Sequence, residues 1–325
     1  MVDAHDSKSC LVRGESSSLS SGTNFLCMPE KTKLIVILGP TASGKSDIAV
    51  ALAKKFNGEI ISADSRQVYK GLDIGTGKIT KKEMKGVKHY LLDVYSPKKR
   101  FTASDFVKMT NSVIAKIVTE GKVPIVCGGT GFYIDALLGD KQIPEVPPNE
   151  KLRKQLEKKS TGELFEILKK LDPERAKTIE RQNPRRLVRA IEICEAIGKV
   201  PSHFAKAPRD KTYDVLKIGI KIPDTELKNR INKRIEKWFK MGLLKEVQNL
   251  HDRGLSWKRM GEIGLEYKLV AEYLSKGIFD TSQLKKKMSE KTYQYAKRQR
   301  LWFKKDKNII WLPPKISDIL ALKGL

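Results

Sequence analysis

Short apolar runs alternate with amphipathic stretches over the first half of the chain. Four of these runs have the length of buried strands: residues 34–38, 59–62, 89–94 and 123–127. Residues 47–56 and 104–120 instead show the 3.6-residue periodicity of helices. Buried strands joined by helical crossovers form parallel sheets, which bind ligands at the carboxyl ends of their strands. The pattern therefore predicts an α/β fold around a parallel sheet.

The pattern changes at a proline-rich stretch, residues 144–148. Beyond it the sequence is charged and helical until the apolar run at residues 215–222, which again has the length of a strand. The remainder is helical, with a last apolar run before the C-terminus. We predict that residues 31–143 and 213–325 form the core, and that residues 144–212 form a helical insertion domain.

Residues 1–30 differ in composition from the rest of the chain. They are rich in serine and lack the apolar segment of a secretory signal. Such a composition predicts disorder. Met28 stands just before the first apolar run, so the leader is interpreted as a dispensable tail or a misassigned start.

A glycine-rich loop separates the first apolar run from the first amphipathic stretch. It consists of Gly39, Pro40, Thr41, Ala42, Ser43, Gly44, Lys45 and Ser46. In a strand–loop–helix context this G-x-x-x-x-G-K-S spacing forms a P-loop, whose backbone N–H groups cradle phosphates. Lys45 adds a positive charge, and the Ser46 hydroxyl can bind a phosphate-bound Mg²⁺. The loop predicts binding of a di- or triphosphate, and by itself it is most typical of ATP or GTP.

Basic residues are in large excess. Lys and Arg total 64 against 38 acidic residues, which gives a formal net charge of +26 and a pI near 9.8. This excess indicates a polyanionic partner, most simply nucleic acid, although a lysine-rich surface without such a partner is an alternative. A membrane is the competing polyanion, but the sequence has no long apolar segment to support it.

Four cysteines are scattered along the chain: Cys10, Cys27, Cys127 and Cys194. Their spacing matches no metal site, and two of them lie in apolar segments. Free thiols of this kind are typical of a reducing cytoplasm.

Further polar residues follow the predicted strands or share a helix face. Asp64 ends the second strand, where it could act as a general base, bind Mg²⁺ or cap a turn. Thr130 lies in a glycine turn after the fourth strand and could contact a phosphate. Arg230 and Arg234 are spaced to lie on one helix face, from which one of them could reach a diphosphate.

Two basic segments are candidates for RNA contacts. Arg185, Arg186 and Arg189 follow a helix cap at Asn183 and cluster on the helix surface. Residues 293–305 mix basic and aromatic side chains, as RNA-binding segments do. In both segments the alternative is structural: a solvated helix face for the first and packing into the core for the second.

Five motifs in order resemble those of the tRNA dimethylallyltransferase family over residues 33–312. They are GPTASGKS from position 39, SADSRQVYKGLDIGTGK from 62, GGTGFY from 128, NPRRLVRA from 183 and AKRQ from 296. The resemblance implies a P-loop nucleoside-kinase-like core with a helical insertion. It also implies transfer of a dimethylallyl group from dimethylallyl diphosphate to N6 of an adenine in the tRNA anticodon loop, with release of diphosphate.

The resemblance also implies roles for individual residues. Asp64 would be the general base, and the diphosphate would be held by Thr41, Lys45, Ser46, Thr130 and Arg234. The expected tRNA contacts are Asp64, Ser65, Arg66, Gln67, Arg185, Arg186, Leu187, Val188, Arg189 and Tyr267. Near Tyr267 the chain reads Gly-Leu-Glu-Tyr where bacterial members usually have Gly-Tyr. The Cys/His finger of many eukaryotic members is absent from the sequence, which favours the bacterial type.

Other readings of the same P-loop stay open at this point. They are a nucleotide kinase, a prenyltransferase acting on free adenine nucleotides, and a nucleic-acid-binding ATPase. The expected enzyme is a cytoplasmic monomer that uses Mg²⁺ and does not bind membranes.

Overall fold

The computed structural model describes residues 31–141, 143–198, 200, 213–277 and 280–321. The predicted N-terminal leader, including Met28, lies outside these residues. Residues 201–212, at the predicted end of the insertion domain, lie outside them as well.

Six parallel strands form the central sheet. They are β1 (Thr32–Leu38), β2 (Gly58–Ser62), β3 (His89–Tyr90), β4 (Val123–Gly128), β5 (Tyr213–Ile220) and β6 (Ile310–Leu312). Their order across the sheet is β3-β2-β4-β1-β5-β6, and every neighbouring pair is parallel. The predicted α/β fold with a parallel sheet is therefore confirmed.

The predicted strand at residues 89–94 is too long. β3 ends at Tyr90 because the next residue, Leu91, has a φ of 60°, and Asp93 has a φ of 55°. These left-handed conformations cannot continue an extended strand.

The described residues contain fourteen helices. They are α1 (Lys45–Lys55), α2 (Lys81–Met84), α3 (Ala103–Thr119), α4 (Gly131–Leu137), α5 (Glu150–Leu156), α6 (Thr161–Leu171), α7 (Pro173–Thr178), α8 (Pro184–Ile197), α9 (Asp224–Lys240), α10 (Leu243–Asp252), α11 (Trp257–Ile263), α12 (Leu265–Ser275), α13 (Thr281–Phe303) and α14 (Ile316–Leu320). No helix among the described residues is both long enough and apolar enough to cross a membrane.

Alternate residues of β1 pack on opposite faces of the sheet, as the two-residue repeat of a strand requires. Ile35 and Ile37 pack with Ile48 and Leu52 of α1 in one apolar cluster. Leu34, Val36 and Leu38 belong to a larger cluster on the other face. The helices α3, α4 and α9 to α13 also contribute to this cluster. The sheet is thus buried on both faces, which explains why β1 is an almost continuous apolar run.

Helices α5 to α8 form an apolar cluster of their own. Its members include Leu164, Leu168, Leu187 and Ile191. Within this region Ser160 and Glu163 form a capping box, which separates α5 from α6. The division into a core and an insertion domain at residues 144–212 stays a prediction.

Candidate active site

A cavity of about 450 Å³ lies at the carboxyl edge of the sheet. Its walls come from the P-loop (residues 39–46), the turn after β2, the loop at residues 75–77 and the helices α9, α12 and α13. Four of its lining side chains are cationic: Lys45, Arg66, Arg234 and Arg298. The topology therefore brings the predicted P-loop and Asp64 into one site, as expected from the parallel sheet.

The P-loop joins β1 to α1 and has the geometry of an anion cradle. Gly44, with φ 89°, immediately precedes α1. The backbone N–H groups of Gly44, Lys45 and Ser46 have no protein acceptor among the described residues. Unpaired N–H groups at a helix N-terminus attract anions. The loop is thus open to a phosphate group on its cavity side.

Lys45 supplies the full positive charge of the loop. Its Nζ donates a hydrogen bond to the carbonyl of Pro40 at 3.0 Å. Burial lowers the pKa of Lys45 from its ordinary value of 10.5; nearby Arg234 adds to this effect, whereas Asp64 opposes it. Burial also raises the pKa of the Cys127 thiol, to about 11. The thiol is therefore protonated at neutral pH and Lys45 faces no thiolate.

Both arginines of the predicted α9 face contact the P-loop. Arg234 Nη1 donates to Thr41 Oγ1 at 3.2 Å, and Arg230 Nη1 donates to the carbonyl of Ser43 at 3.2 Å. Arg234 lines the cavity, whereas Arg230 also pairs with Glu226 and lies outside it. Burial lowers the pKa of Arg234, but a guanidinium keeps its charge in proteins. Of the two, Arg234 is placed to contact a bound diphosphate.

Asp64 follows β2 and serves two purposes at once. Its Oδ1 accepts hydrogen bonds from the backbone N–H groups of Arg66, at 2.8 Å, and Gln67, at 3.4 Å. Its other oxygen, Oδ2, has no hydrogen-bond partner within the described part of the chain, and the side chain lines the cavity. Asp64 therefore caps the turn, and it also presents one carboxylate oxygen that can accept a proton.

Thr130 lies beside this turn and does not line the cavity. Its hydroxyl accepts a hydrogen bond from the Ser65 N–H at 3.1 Å, and its own N–H donates to the carbonyl of Ala63 at 3.2 Å. These bonds join the turn after β4 to the turn after β2. The structure shows Thr130 in contact with the Asp64 turn, and its predicted contact with diphosphate stays a prediction.

Gln299 was overlooked as a site residue, although it ends the AKRQ motif. Its Oε1 accepts from the Thr41 N–H at 2.8 Å, and its Nε2 donates to the carbonyl of Gly129 at 2.8 Å. The side chain is buried. It joins α13 to both glycine loops. A lone glutamine among basic residues was the available sequence signal.

Residues 293–305 divide between the cavity and the core, and their predicted contact with RNA stays a prediction. Tyr295 and Arg298 line the cavity, and burial raises the pKa of Tyr295 to about 12. Phe303 is buried in the core, and Trp302 Nε1 donates to Asp135 Oδ2 at 3.0 Å. Leu301 is 63 % exposed. One face of α13 thus belongs to the site and another to the core.

Glu266 is a second site residue that the sequence analysis did not assign. It lines the cavity, and burial raises its pKa. The nearby Arg66 and Arg234 cations oppose that shift, and the Asp64 carboxylate adds to it. The cavity therefore holds a carboxyl group besides Asp64, and burial favours the protonated form of this Glu266 side chain.

The residues predicted to contact tRNA separate into several groups. Arg66 and Gln67 line the cavity beside Asp64. Arg185 and Arg186 are exposed on α8, and Arg186 pairs with Glu180 at 2.9 Å across two exposed side chains. Arg189 is half-buried, and its guanidinium donates to Glu192 at 3.2 Å and to the Val146 carbonyl at 2.8 Å.

Three of the residues predicted to contact tRNA have side chains that the structure encloses. Leu187 and Val188 are buried in the cluster formed by α5 to α8, because they occupy the inner face of α8. Tyr267 is only 1 % exposed, and its hydroxyl donates to Glu246 Oε1 at 2.7 Å. These three side chains face the protein interior, and contact between their segments and tRNA stays a prediction.

The cavity offers one candidate protein ligand for Mg²⁺, the Ser46 hydroxyl, and the remaining ligands would have to come from phosphate and water. Ser46 is exposed and lines the cavity. Within the described residues no cluster of three or more His, Cys, Asp or Glu side chains could hold a metal ion by itself. Mg²⁺ is commonly held by few protein oxygens together with substrate phosphates and water. Ser46, the last residue of the P-loop, fits that arrangement.

The chain is similar in sequence and in fold to several proteins whose names describe enzymes that act on tRNA. A family model described as IPP transferase matches residues 67–306. A tRNA dimethylallyltransferase of Staphylococcus epidermidis is 43% identical over 296 residues, which cover 88% of this chain and 88% of the relative. One from Anoxybacillus flavithermus is 39% identical over 281 residues, covering 86% and 89%.

Solved structures agree with the sequence comparison. The crystal structure of a tRNA delta(2)-isopentenylpyrophosphate transferase from Staphylococcus epidermidis has 39% identity and a TM-score of 0.64, and the match covers 89% of this chain and 96% of that one. A eukaryotic dimethylallyltransferase acting on tRNA has 28% identity and a TM-score of 0.76, covering 90% and 76%. The chain belongs to the IPP transferase family.

Proposed function

We propose that the chain transfers a dimethylallyl group from dimethylallyl diphosphate to N6 of an adenine in the tRNA anticodon loop. The observation that carries this proposal is the convergence of Asp64, Lys45 and Arg234 on one cavity beside an open P-loop. The names of the relatives, tRNA dimethylallyltransferases, support the same reaction.

Charge separation at the leaving group is the first requirement of this reaction. The bond between the allylic carbon and the diphosphate oxygen breaks, and negative charge accumulates on the diphosphate. The N–H groups of the P-loop, Lys45 and Arg234 stabilise that charge, because they are held in position before the reaction starts. Mg²⁺ bound at Ser46 would neutralise further charge on the diphosphate.

Proton removal from the adenine is the second requirement. The N6 lone pair is delocalised into the ring, so nitrogen attacks only as the allylic carbon becomes positive. The new N6–carbon bond forms, and one N6 proton passes to Asp64 Oδ2. The two N–H bonds to Oδ1 keep this carboxylate in place. Diphosphate and the prenylated tRNA are the products.

Recognition of tRNA has a separate physical basis. A base inside a folded RNA loop must leave its stack to reach the cavity, at a cost of a few kcal/mol. Arg66, Tyr295 and Arg298 line the cavity and can contact the displaced base or its flanking phosphates. The exposed Arg185 and Arg186 on α8 offer phosphate contacts at a second place. A cytoplasmic location and a monomeric state belong to the proposal as well.

One assay tests the reaction directly. The full chain is incubated with bulk tRNA that lacks the modification and with either dimethylallyl diphosphate or ATP. We expect prenylated adenine only with dimethylallyl diphosphate. Phosphoryl transfer or ATP hydrolysis without prenylation would contradict the proposal.

The Asp64→Ala variant tests the role of the carboxylate in the same assay. Loss of a general base lowers turnover by about 10²- to 10⁴-fold. We expect tRNA binding, measured by filter retention, to stay near the wild-type value. Asp252→Ala is the matched control, since Asp252 is exposed on α10, away from the cavity, and accepts a hydrogen bond from Gln248. A large loss of tRNA affinity in Asp64→Ala would assign Asp64 to recognition instead.

A further inference from the structure

A partly buried set of hydrogen bonds outside the cavity holds one of the cavity walls in place. Three successive backbone N–H groups, those of Asp73, Ile74 and Gly75, converge on the carboxylate of Glu246. The Asp73 and Ile74 groups donate to Oε2 at 3.0 Å and 2.7 Å, and the Gly75 group donates to Oε1 at 3.1 Å. Tyr267 donates to the same Oε1 at 2.7 Å. Successive N–H groups of this kind form an anion-binding nest, and here a side chain of α10 fills it.

The loop held by Glu246 is also part of the cavity. Gly75, Thr76 and Gly77 line it, whereas Glu246 does not. Gln67, which lines the same cavity, donates from Nε2 to the carbonyls of Thr76 and Gly77 at 3.3 Å and 3.2 Å. The position of Gln67 therefore depends on the position of this loop.

The loop fits closely between its neighbours. A Cβ atom added at Gly75 would lie 2.9 Å from the ring of Tyr267. A Cβ atom at Gly77 would lie 3.2 Å from the ring of Trp238 and 3.7 Å from Nη1 of Arg234. A shift of the loop would consequently change the surroundings of Arg234 as well as those of Gln67.

We propose that Glu246 is a positioning residue for the transfer reaction. Its negative charge holds the loop at residues 73–77, and the loop in turn places Gln67 and closes the cavity against Trp238 and Arg234. The effect on catalysis rests on the proposed function, whereas the effect on the loop does not. Hydrogen bonds to an ionised acceptor are stronger than those to a neutral one, so an amide of the same shape cannot replace the carboxylate.

The test compares Glu246→Gln with Asp252→Asn, which neutralises another carboxylate of the same helix. Amide hydrogen exchange on the full chain gives the first readout. We expect exchange to rise about tenfold or more in peptides covering residues 73–77 of Glu246→Gln, since three charge-assisted bonds are weakened. Peptides from β1 and β4 should keep their wild-type exchange in both variants.

Steady-state kinetics with dimethylallyl diphosphate and unmodified tRNA give the second readout. We expect kcat/KM to fall by about 10- to 100-fold in Glu246→Gln, mostly through kcat, because small displacements of positioning groups have effects of this size. Asp252→Asn should match the wild type. A merely structural role would lower the amount of folded enzyme without changing kcat per active site.

Three results would overturn the proposal. They are unchanged exchange at residues 73–77, faster exchange with wild-type kcat and KM, and faster exchange throughout the chain.

If Glu246→Gln does not fold, Tyr267→Phe removes one of the four bonds and should give a smaller change in the same direction. If the wild type prenylates no tRNA, the proposed function fails. The exchange comparison and the affinity for inorganic diphosphate then still decide whether Glu246 holds the loop.

Discussion

Two loops present consecutive backbone N–H groups near the same cavity, but they differ in what those groups face. In the P-loop the N–H groups of Gly44, Lys45 and Ser46 have no acceptor in the described part of the protein. In the loop at residues 73–77 the corresponding groups are bonded to the carboxylate of Glu246. The P-loop is open to an anionic substrate, whereas the Glu246 carboxylate already occupies the loop at residues 73–77.

Whether a glycine-rich loop can bind an anionic ligand depends on whether a side chain of the protein already accepts hydrogen bonds from its N–H groups. In each loop a glycine directly precedes a lysine, Gly44-Lys45 in the P-loop and Gly77-Lys78 at the end of the other loop. Lys45 faces the cavity, whereas Lys78 forms ion pairs with Asp73 and Asp93 at 2.6 Å and 2.5 Å. The open loop should therefore matter mainly for activity, and the filled loop should matter for stability as well.

The largest expected effect is in the open loop. Replacing Lys45 with Met removes a half-buried cation that lines the cavity. On the proposed function this cation stabilises the leaving diphosphate, so kcat/KM should fall by about 10²- to 10³-fold. Stability should stay the same or rise, since burial of the charged ammonium is unfavourable. Prenylation kinetics and urea unfolding measure the two effects. A loss of stability together with activity would contradict the assignment of this loop as open.

An intermediate effect is expected in the filled loop. Glu246→Ala leaves three backbone N–H groups and the Tyr267 hydroxyl without their acceptor. Each unsatisfied group costs about 1–3 kcal/mol when buried, and partial access of water to the loop reduces the sum. We expect the free energy of unfolding in urea to fall by roughly 2 kcal/mol or more. Asp252→Ala serves as the control, and equal stability of the two variants would show that the nest contributes nothing.

The smallest expected effect is a shift in pH dependence. The pKa of Lys45 lies below 10.5, so the ammonium is charged below that lowered pKa and loses its proton as the pH rises through it. Affinity for diphosphate should therefore decline at a lower pH than the titration of an ordinary lysine would cause. Calorimetric titration with inorganic diphosphate over an alkaline pH series measures the midpoint. Lys45→Arg should abolish this decline, because a guanidinium stays charged, and an unchanged midpoint would exclude Lys45 as its source.

Local features of the site were predictable from the sequence, whereas the direction of single side chains was not. The P-loop was predictable because strand, loop and helix are consecutive, and its geometry follows from local backbone preferences. Asp64 was predictable because it directly follows an apolar strand. Leu187, Val188 and Tyr267 belong to segments that match the family, yet their side chains are buried. A motif identifies a segment and does not tell which of its side chains face outwards.

The sequence by itself determined the parallel α/β core, the P-loop, the position of Asp64 at a strand end and the family resemblance. These features depend on apolar periodicity and on residues close together in the chain. The tertiary structure alone decided that Gln299 bonds to Thr41 across 258 residues, and that Glu246 bonds to Gly75 across 171. Local preferences carry no information about such pairs, because each partner can satisfy its hydrogen bonds in many ways until the fold brings the two together. The fold therefore decides that the P-loop stays open and that the loop at residues 73–77 is filled.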